Sequence, residues 1–269
     1  MGQTNMSSDK ALQAEINAFN KCGKLLGNAD AFVKPAGYGT SFPDFAFRVL
    51  IDQKPVDIHV EYKADKKAQM GSMRDWIFDG SRFKTPSPDE NKNDLIDIMN
   101  STRECVDNGK RLLNDFQQVD KRIKTIYSGM LTAESDQKKR RSNLIAFKER
   151  TNNYQLAKIS NSTMGDKIID HYKNKFKKAV RNDAKSSLLL MMMGDELFFV
   201  ERQGTVSDDL KTIGQMLCGK DIPALKNLSA SLEVRIQPRG LSSEGKPVSV
   251  DVMANFRLSG QTMPGAKIK

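Results

Sequence analysis

Two acids and an amine fall on one side of a short hairpin in this sequence. Residues 44–51 (DFAFRVLI) and 56–63 (VDIHVEYK) alternate apolar with polar side chains, the period of a strand with unlike faces. Asp52-Gln53-Lys54-Pro55 between them reads as a turn. A four-residue turn sets Ile51 against Val56, Phe47 against Val60 and Asp44 against Lys63. Phe45, Phe47, Val49 and Ile51 then share an apolar face with Val56, Ile58, Val60 and Tyr62. The other face holds Asp44, Ala46 and Arg48 with Asp57, His59, Glu61 and Lys63. A slip of one residue would turn charges into the core, so the pattern is expected to fix this register.

In this register Asp44 is diagonal to Glu61, with Cα atoms about 7–8 Å apart. Two carboxylates at that reach can share one divalent cation, and hard oxygen ligands select Mg²⁺, with Mn²⁺ able to substitute. Such an ion polarises a phosphate and activates water. Lys63 beside it would orient that water or offset charge in the transition state. The neighbouring carboxylates hold the lysine charged, which favours orienting over acting as a base. His59 shares the face and reads as a surface or substrate-facing side chain, with an accessory part in catalysis as the sharper alternative. The plain alternative for the whole constellation is a solvated cross-strand salt bridge contributing ~0–1 kcal/mol.

Other elements must carry this hairpin. Leu12, Ile16, Phe19, Cys22 and Leu26 recur at helical spacing ahead of it, and Glu15 falls inside that stripe. The sequence predicts further helices over Gln69 to Phe83, Asp94 to about Tyr127 with Gly109 as a point of interruption, Glu134 to Leu156, Asp166 to Val180 and Asp208 to Leu217. Leu188–Val200 reads as a hairpin apolar on both faces. Leu232–Ile236 and Val248–Leu258 alternate as antiparallel strands do. Together these predict an α/β fold: a mixed central sheet flanked by helices in residues 1–203, a helical insertion at about 90–160, and a C-terminal helix plus β-hairpin extension over 204–269.

The charge is localised. The chain has 43 Lys and Arg against 33 Asp and Glu, a net charge of +10. Gln137 to Arg181 holds thirteen of the basic residues and three acids, which is the whole excess. A confined basic stretch is the footprint of an acidic partner, nucleic acid first and an anionic membrane second. Lys138, Lys139, Arg140 and Arg141 form one run. Lys173, Lys177, Lys178 and Arg181 lie on or just past the basic helix, which also carries Lys167 and Lys175. They read as phosphate contacts, which position a duplex without reading its sequence. Three widely spaced cysteines (Cys22, Cys105, Cys218) give no disulfide framework or zinc spacing. No apolar run is long enough to span a bilayer, and the first residues lack an apolar signal core. A cytoplasmic, reducing location without a membrane partner is the expectation. No glycine-rich phosphate loop joins a strand to a helix, so nucleotide hydrolysis has no support.

Pro43-Asp44, followed by Glu61-Tyr62-Lys63 on the next strand, resembles the PD-(D/E)xK nuclease superfamily of restriction endonucleases, phage exonucleases and Holliday-junction resolvases. The order helix, loop, strand, strand, helix is similar to the core of that family over about residues 9–85. The resemblance implies a restriction-endonuclease-like fold and Mg²⁺-dependent hydrolysis of DNA phosphodiesters by an endonuclease, with a phage or other mobile element as source by analogy. It places Asp44 and Glu61 on the metal and Lys63 on the attacking water. Many members add a Glu from the first helix to the metal site, a position matched by Glu15. Many also cut both strands as dimers, which makes a homodimer an expectation of the resemblance alone. Two alternatives stand beside it. One is an RNA endonuclease similar to the cap-snatching enzymes of segmented viruses, for which His59 on the polar face leaves room. The other is a non-catalytic nucleic-acid-binding or assembly protein with a degenerate nuclease core.

Overall fold

The fold is described from a computed structural model for residues 6–35, 42–73, 76–85, 90–101, 103–119, 121, 124–127, 154–159, 162–204, 207–226, 228, 230–241, 247–258 and 264–269. The chain is mixed α/β and divides into two compact units. The first comprises residues 1–68, 169–228 and 261–269, the second 69–168 and 229–260. Strands and helices are numbered along the chain.

The first unit is built on a six-stranded mixed sheet. Its order is β1 (Asp30–Val33), β2 (Phe45–Ile51), β3 (Lys54–Lys63), β9 (Ser186–Met193), β10 (Glu196–Gly204) and β13 (Ala266–Lys267). All neighbours are antiparallel except β3 and β9, which run parallel from Val56↔Ser186 to Lys63↔Met193. Helix α1 (Met6–Leu26) and helix α5 (Ser207–Cys218) supply Ala18, Cys22, Leu26, Ile213 and Leu217 to one core. That core also takes Phe45, Phe47, Val49, Val56, Ile58 and Val60 from the hairpin. Helix α4 (Ser162–Lys177) covers the opposite face, where the Phe176 ring lies 5.1 Å from that of His59. Every residue of β9 is buried, as an inner strand covered on both faces requires. Asp209 in the first turn of α5 accepts from Ser186 Oγ at 2.7 Å and Lys185 Nζ at 3.0 Å, which ties that helix to the start of β9.

The hairpin keeps its expected faces but not its expected register. Only Asp52 and Gln53 form the turn, both left-handed with φ of 52° and 62°, and the ladder closes with Ile51↔Lys54 and Leu50↔Pro55. This is the two-residue loop whose twist suits flanking strands. Lys54 and Pro55 belong to β3, not to a four-residue turn. Pro55 lacks a donor, but alternate antiparallel pairs are not hydrogen-bonded, so the second pair accepts it. The register moves by two residues, an even number, so each side chain stays on its face while its partner changes. Phe45 opposes Val60, and continuing the ladder puts Asp44 opposite Glu61 rather than Lys63.

In the second unit a four-stranded antiparallel sheet runs β4 (Gln69–Met73), β12 (Pro247–Leu258), β11 (Ala230–Leu241), β8 (Tyr154–Ile159). A three-stranded sheet runs β6 (Phe83–Lys84), β5 (Ile77–Phe78), β7 (Ile126–Tyr127). The helix expected over Gln69 to Phe83 is therefore three strands. Gly71 and Ser72 are weak helix formers, β12 offers a free edge, and the buried Trp76 and Phe78 stand two apart, the strand period. The long helical pattern from Asp94 breaks into α2 (Glu90–Asn100) and α3 (Arg103–Val119). The side chain of Asn100, the last residue of α2, bonds both the amide and the carbonyl of Phe83 at 2.8 Å. Gly109 does not interrupt α3 but lets it approach an aromatic pair: a Cβ there would meet Phe78 at 2.9 Å and Phe83 at 3.0 Å. Of the helix expected over Glu134 to Leu156, only 154–156 are described, and they belong to β8.

Within the stretch read as a C-terminal extension, α5 and β13 belong to the first unit and β11 and β12 to the second. Among the described residues no helix is long and apolar enough to cross a membrane.

Candidate functional site

The site lies in the first unit, where β2 begins and β3 ends. Asp44 stands one residue ahead of β2, and its Oδ2 accepts the Tyr62 amide at 2.7 Å. A carboxylate thus takes the place of the next ladder carbonyl and is held against the end of β3. Glu61 and Lys63 are two apart on one face of β3, so their long side chains meet: Lys63 Nζ donates to Glu61 Oε1 at 2.8 Å. The other oxygen of Glu61 is taken from across the sheet by α4, with Lys175 Nζ 3.4 Å from Oε2. Tyr172, one turn earlier on that helix, is buried, and the Lys63 ammonium stands 5.6 Å from its ring centroid.

Electrostatics follow from this packing. Burial and the charge of Glu61 push the Asp44 carboxyl up to about 7, against the pull of Lys63 and the Tyr62 amide. Burial would raise Glu61 too, but Lys63 and Lys175 outweigh it and hold that carboxyl below its usual value. Burial would lower Lys63; Glu61, Tyr172 and Asp44 outweigh it and keep the ammonium charged beyond the usual lysine range. Glu15 on α1 is half-buried and raised, chiefly by burial, with Lys63 opposing and Glu61 adding to the rise. Three acids thus stand in one field with two lysines.

Glu15 is in that field but not in a cage. Among the described residues no three His, Cys, Asp or Glu side chains are grouped so as to hold a metal ion. The donor set fits a different coordination. Mg²⁺ keeps several waters and is commonly held by one or two carboxylates plus a substrate phosphate. Asp44 and Glu61 supply two carboxylates, and burial followed by the charge of Glu61 raises the Asp44 carboxyl.

Comparison with protein-family models, curated proteins and solved structures gives no match. The functional reading therefore rests on the geometry of this site.

His59 is not where a substrate would meet it. It is fully buried between the rings of Phe32 (5.5 Å) and Phe176 (5.1 Å), and neither ring nitrogen has a hydrogen-bond partner among the described residues. Burial pushes it down to about 4, so it is neutral. The face expected to be polar is in fact covered, because α4 lies over it. Asp57 on that face is structural: Arg48 holds it with two bonds at 2.7 and 3.0 Å and reaches on to Asp183.

The basic residues are only partly placed. Lys138, Lys139, Arg140 and Arg141 lie outside the described residues. Lys173 is half-buried and paired with Asp170 and Glu201. Lys177, Lys178 and Arg181 are exposed, and Arg181 stacks over Phe32 at 5.2 Å. Because α4 runs against β3, with Tyr172 at Lys63 and Phe176 at His59, this end of the helix points away from Glu61.

Lys175 reads in the sequence only as one lysine of a basic helix, and neither it nor Tyr172 is singled out there. Their signal was the spacing Tyr172, Lys175, Phe176, which puts them on one helical face.

Proposed function

We propose that this chain is a Mg²⁺-dependent nuclease with a restriction-endonuclease-like core that hydrolyses DNA phosphodiesters. The reading is carried by one observation: the Asp44 and Glu61 carboxylates are within each other's field at the end of β3, with the Lys63 ammonium hydrogen-bonded to one of them. Asp44 and Glu61 would hold the ion. When bound, Mg²⁺ or Mn²⁺ supplies Lewis-acid polarisation of the phosphate and makes water more acidic.

Hydrolysis joins a water oxygen to phosphorus and breaks the bond from phosphorus to the leaving sugar oxygen. One proton ends on that leaving oxygen, and the other goes to solvent from the new phosphate monoester. Lys63 has no free base to offer, since its partners keep it protonated. Its part is to orient the water and to offset charge on the phosphate as the transition state forms. Glu61 fixes the ammonium for this, with the Tyr172 ring beside it. Glu15, in the same field, would assist the metal site from α1. Lys177, Lys178 and Arg181 are assigned to phosphates several steps from the scissile bond.

DNA is preferred over RNA because His59, the residue that left room for an RNA endonuclease, is sealed beneath α4. A binding protein with a degenerate core is the second reading, favoured by the two lysines that already satisfy Glu61. Purified protein is incubated with circular DNA, linear DNA and matched RNA, with Mg²⁺ or with EDTA. The expected result is DNA cleavage with Mg²⁺ alone, abolished in Asp44→Ala and Lys63→Ala. Salt-sensitive binding without cleavage favours the second reading, and both variants cutting as fast as the parent refutes the assignment.

A further inference from the structure

The two carboxylates do not have four free oxygens between them. Asp44 Oδ2 is held by the Tyr62 amide and Glu61 Oε1 by Lys63. Both of these partners belong to β3, an inner strand paired on both sides. Each held oxygen keeps a second lone pair, but Asp44 Oδ1 and Glu61 Oε2 are the oxygens that these β3 groups leave untouched, and they would hold an ion most readily. The second of these oxygens is the one on which the Lys175 ammonium rests, at 3.4 Å.

We propose that Lys175 is a movable phosphate ligand, seated on Glu61 Oε2 while the ion's place is open and moved onto the scissile phosphate when a divalent cation takes that oxygen. The inference rests on the nuclease reading and adds a residue to it. An ammonium and a dication on one carboxylate oxygen repel each other strongly where water is scarce. Of the two lysines, Lys175 is the one free to yield. Its contact is longer than the 2.8 Å bond of Lys63, and it stands on a four-carbon stem from a helix. The Tyr172 ring, 5.9 Å from the ammonium, offers a cation-π flank along the way. A phosphate bound to an ion on Asp44 and Glu61 brings its other oxygens to the same place.

The same move gives the site a charge logic. Without an ion, two lysines face the acids and hold Glu61 ionised. With an ion and a phosphate, the displaced positive charge meets the incoming negative charge, so neither is left unpaired in a part-buried site. A fixed structural ion pair would give Lys175 neither role.

The test measures Mn²⁺ binding by calorimetry, without nucleic acid, for the full chain and for Lys175→Met and Lys175→Arg, and then single-turnover DNA cleavage at saturating Mn²⁺. Removing the competitor is expected to tighten Mn²⁺ binding by about tenfold in Lys175→Met while the saturated rate falls about 10²-fold. Lys175→Arg, which keeps the charge, is expected to retain the parent's affinity and most of its rate. Affinity unchanged or weakened in a folded Lys175→Met overturns the proposal, as does tighter binding with the full rate. If Lys175→Met does not fold, Lys175→Gln takes its place in both measurements with the same expectations, and Mn²⁺ affinity no tighter than the parent's overturns the proposal. A parent protein that binds no Mn²⁺ refutes the nuclease reading itself, a result separate from any effect of Lys175.

Discussion

Asp44 Oδ2 accepts the backbone amide of Tyr62 at 2.7 Å, so a side chain completes the ladder where β2 has run out. That one bond holds a carboxylate beside Glu61 at the expense of like-charge repulsion. The acids of the site consequently differ in what they do for stability.

The Asp44 carboxyl is raised from 3.8 to about 7. A group raised in the folded state stabilises while protonated, below its unfolded value, and that contribution is lost as pH rises through about 7. Asp44→Asn keeps an oxygen for the Tyr62 amide and removes the charge. At pH 8 in EDTA it is expected to gain about 2–4 kcal/mol in urea unfolding. Glu61→Gln is expected to lose about 3 kcal/mol in the same experiment, because two part-buried ammoniums lose their counter-charge. Both variants losing stability alike would show that the acids do not compete.

His59 gives a pH signature of the opposite sense. Its value falls from 6.5 to about 4 on burial. A depressed histidine contributes fully above pH 6.5, and the contribution disappears as pH falls through about 4. His59→Phe, flanked by Phe32 and Phe176, is expected to lose about 2–3 kcal/mol less than the parent between pH 7.5 and 4.5. Urea midpoints at the two pH values measure the difference; equal losses would contradict it.

Gly109 is a packing glycine. Alanine normally gains about 1 kcal/mol over glycine inside a helix. Here its Cβ would come within 2.9 Å of Phe78, and Gly109→Ala is expected to destabilise by about 1–3 kcal/mol. A rise in melting temperature would show that α3 is not seated on those rings.

The turn carries strain that glycine relieves. Gln53 sits at φ 62°, where a side chain costs about 1–2 kcal/mol. Gln53→Gly is expected to stabilise by about 0.5–1 kcal/mol after its greater unfolded entropy is counted, with cleavage unchanged. Thermal melting checks it, and a loss of stability would argue against a two-residue turn.

The alternation of residues 44–63 was enough to read which face of the hairpin is apolar, because a register error of two residues leaves faces intact. It could not reveal the register, since Asp52 and Gln53 adopt left-handed conformations without a glycine to announce them. Asp44, Glu61 and Lys63 were legible for the same reason: their faces depend on local period alone. The burial of His59 was not, because it depends on α4 crossing over a face that looks polar in isolation. Lys175 was hidden in the same way, one lysine among several until the helix direction selects it. The strand at Gln69–Met73 depends on pairing with β12, distant in sequence, and no local pattern carries that information.

The central claim is that Asp44 and Glu61 share one divalent ion. Calorimetric titration of Mn²⁺ into the full chain tests it most directly, with Asp44→Asn, Glu61→Gln and His59→Phe alongside. One ion per chain is expected for the parent and for His59→Phe, with binding lost or weakened about 10–100-fold in each carboxylate variant. Undiminished binding in both carboxylate variants would place the ion elsewhere and contradict the account.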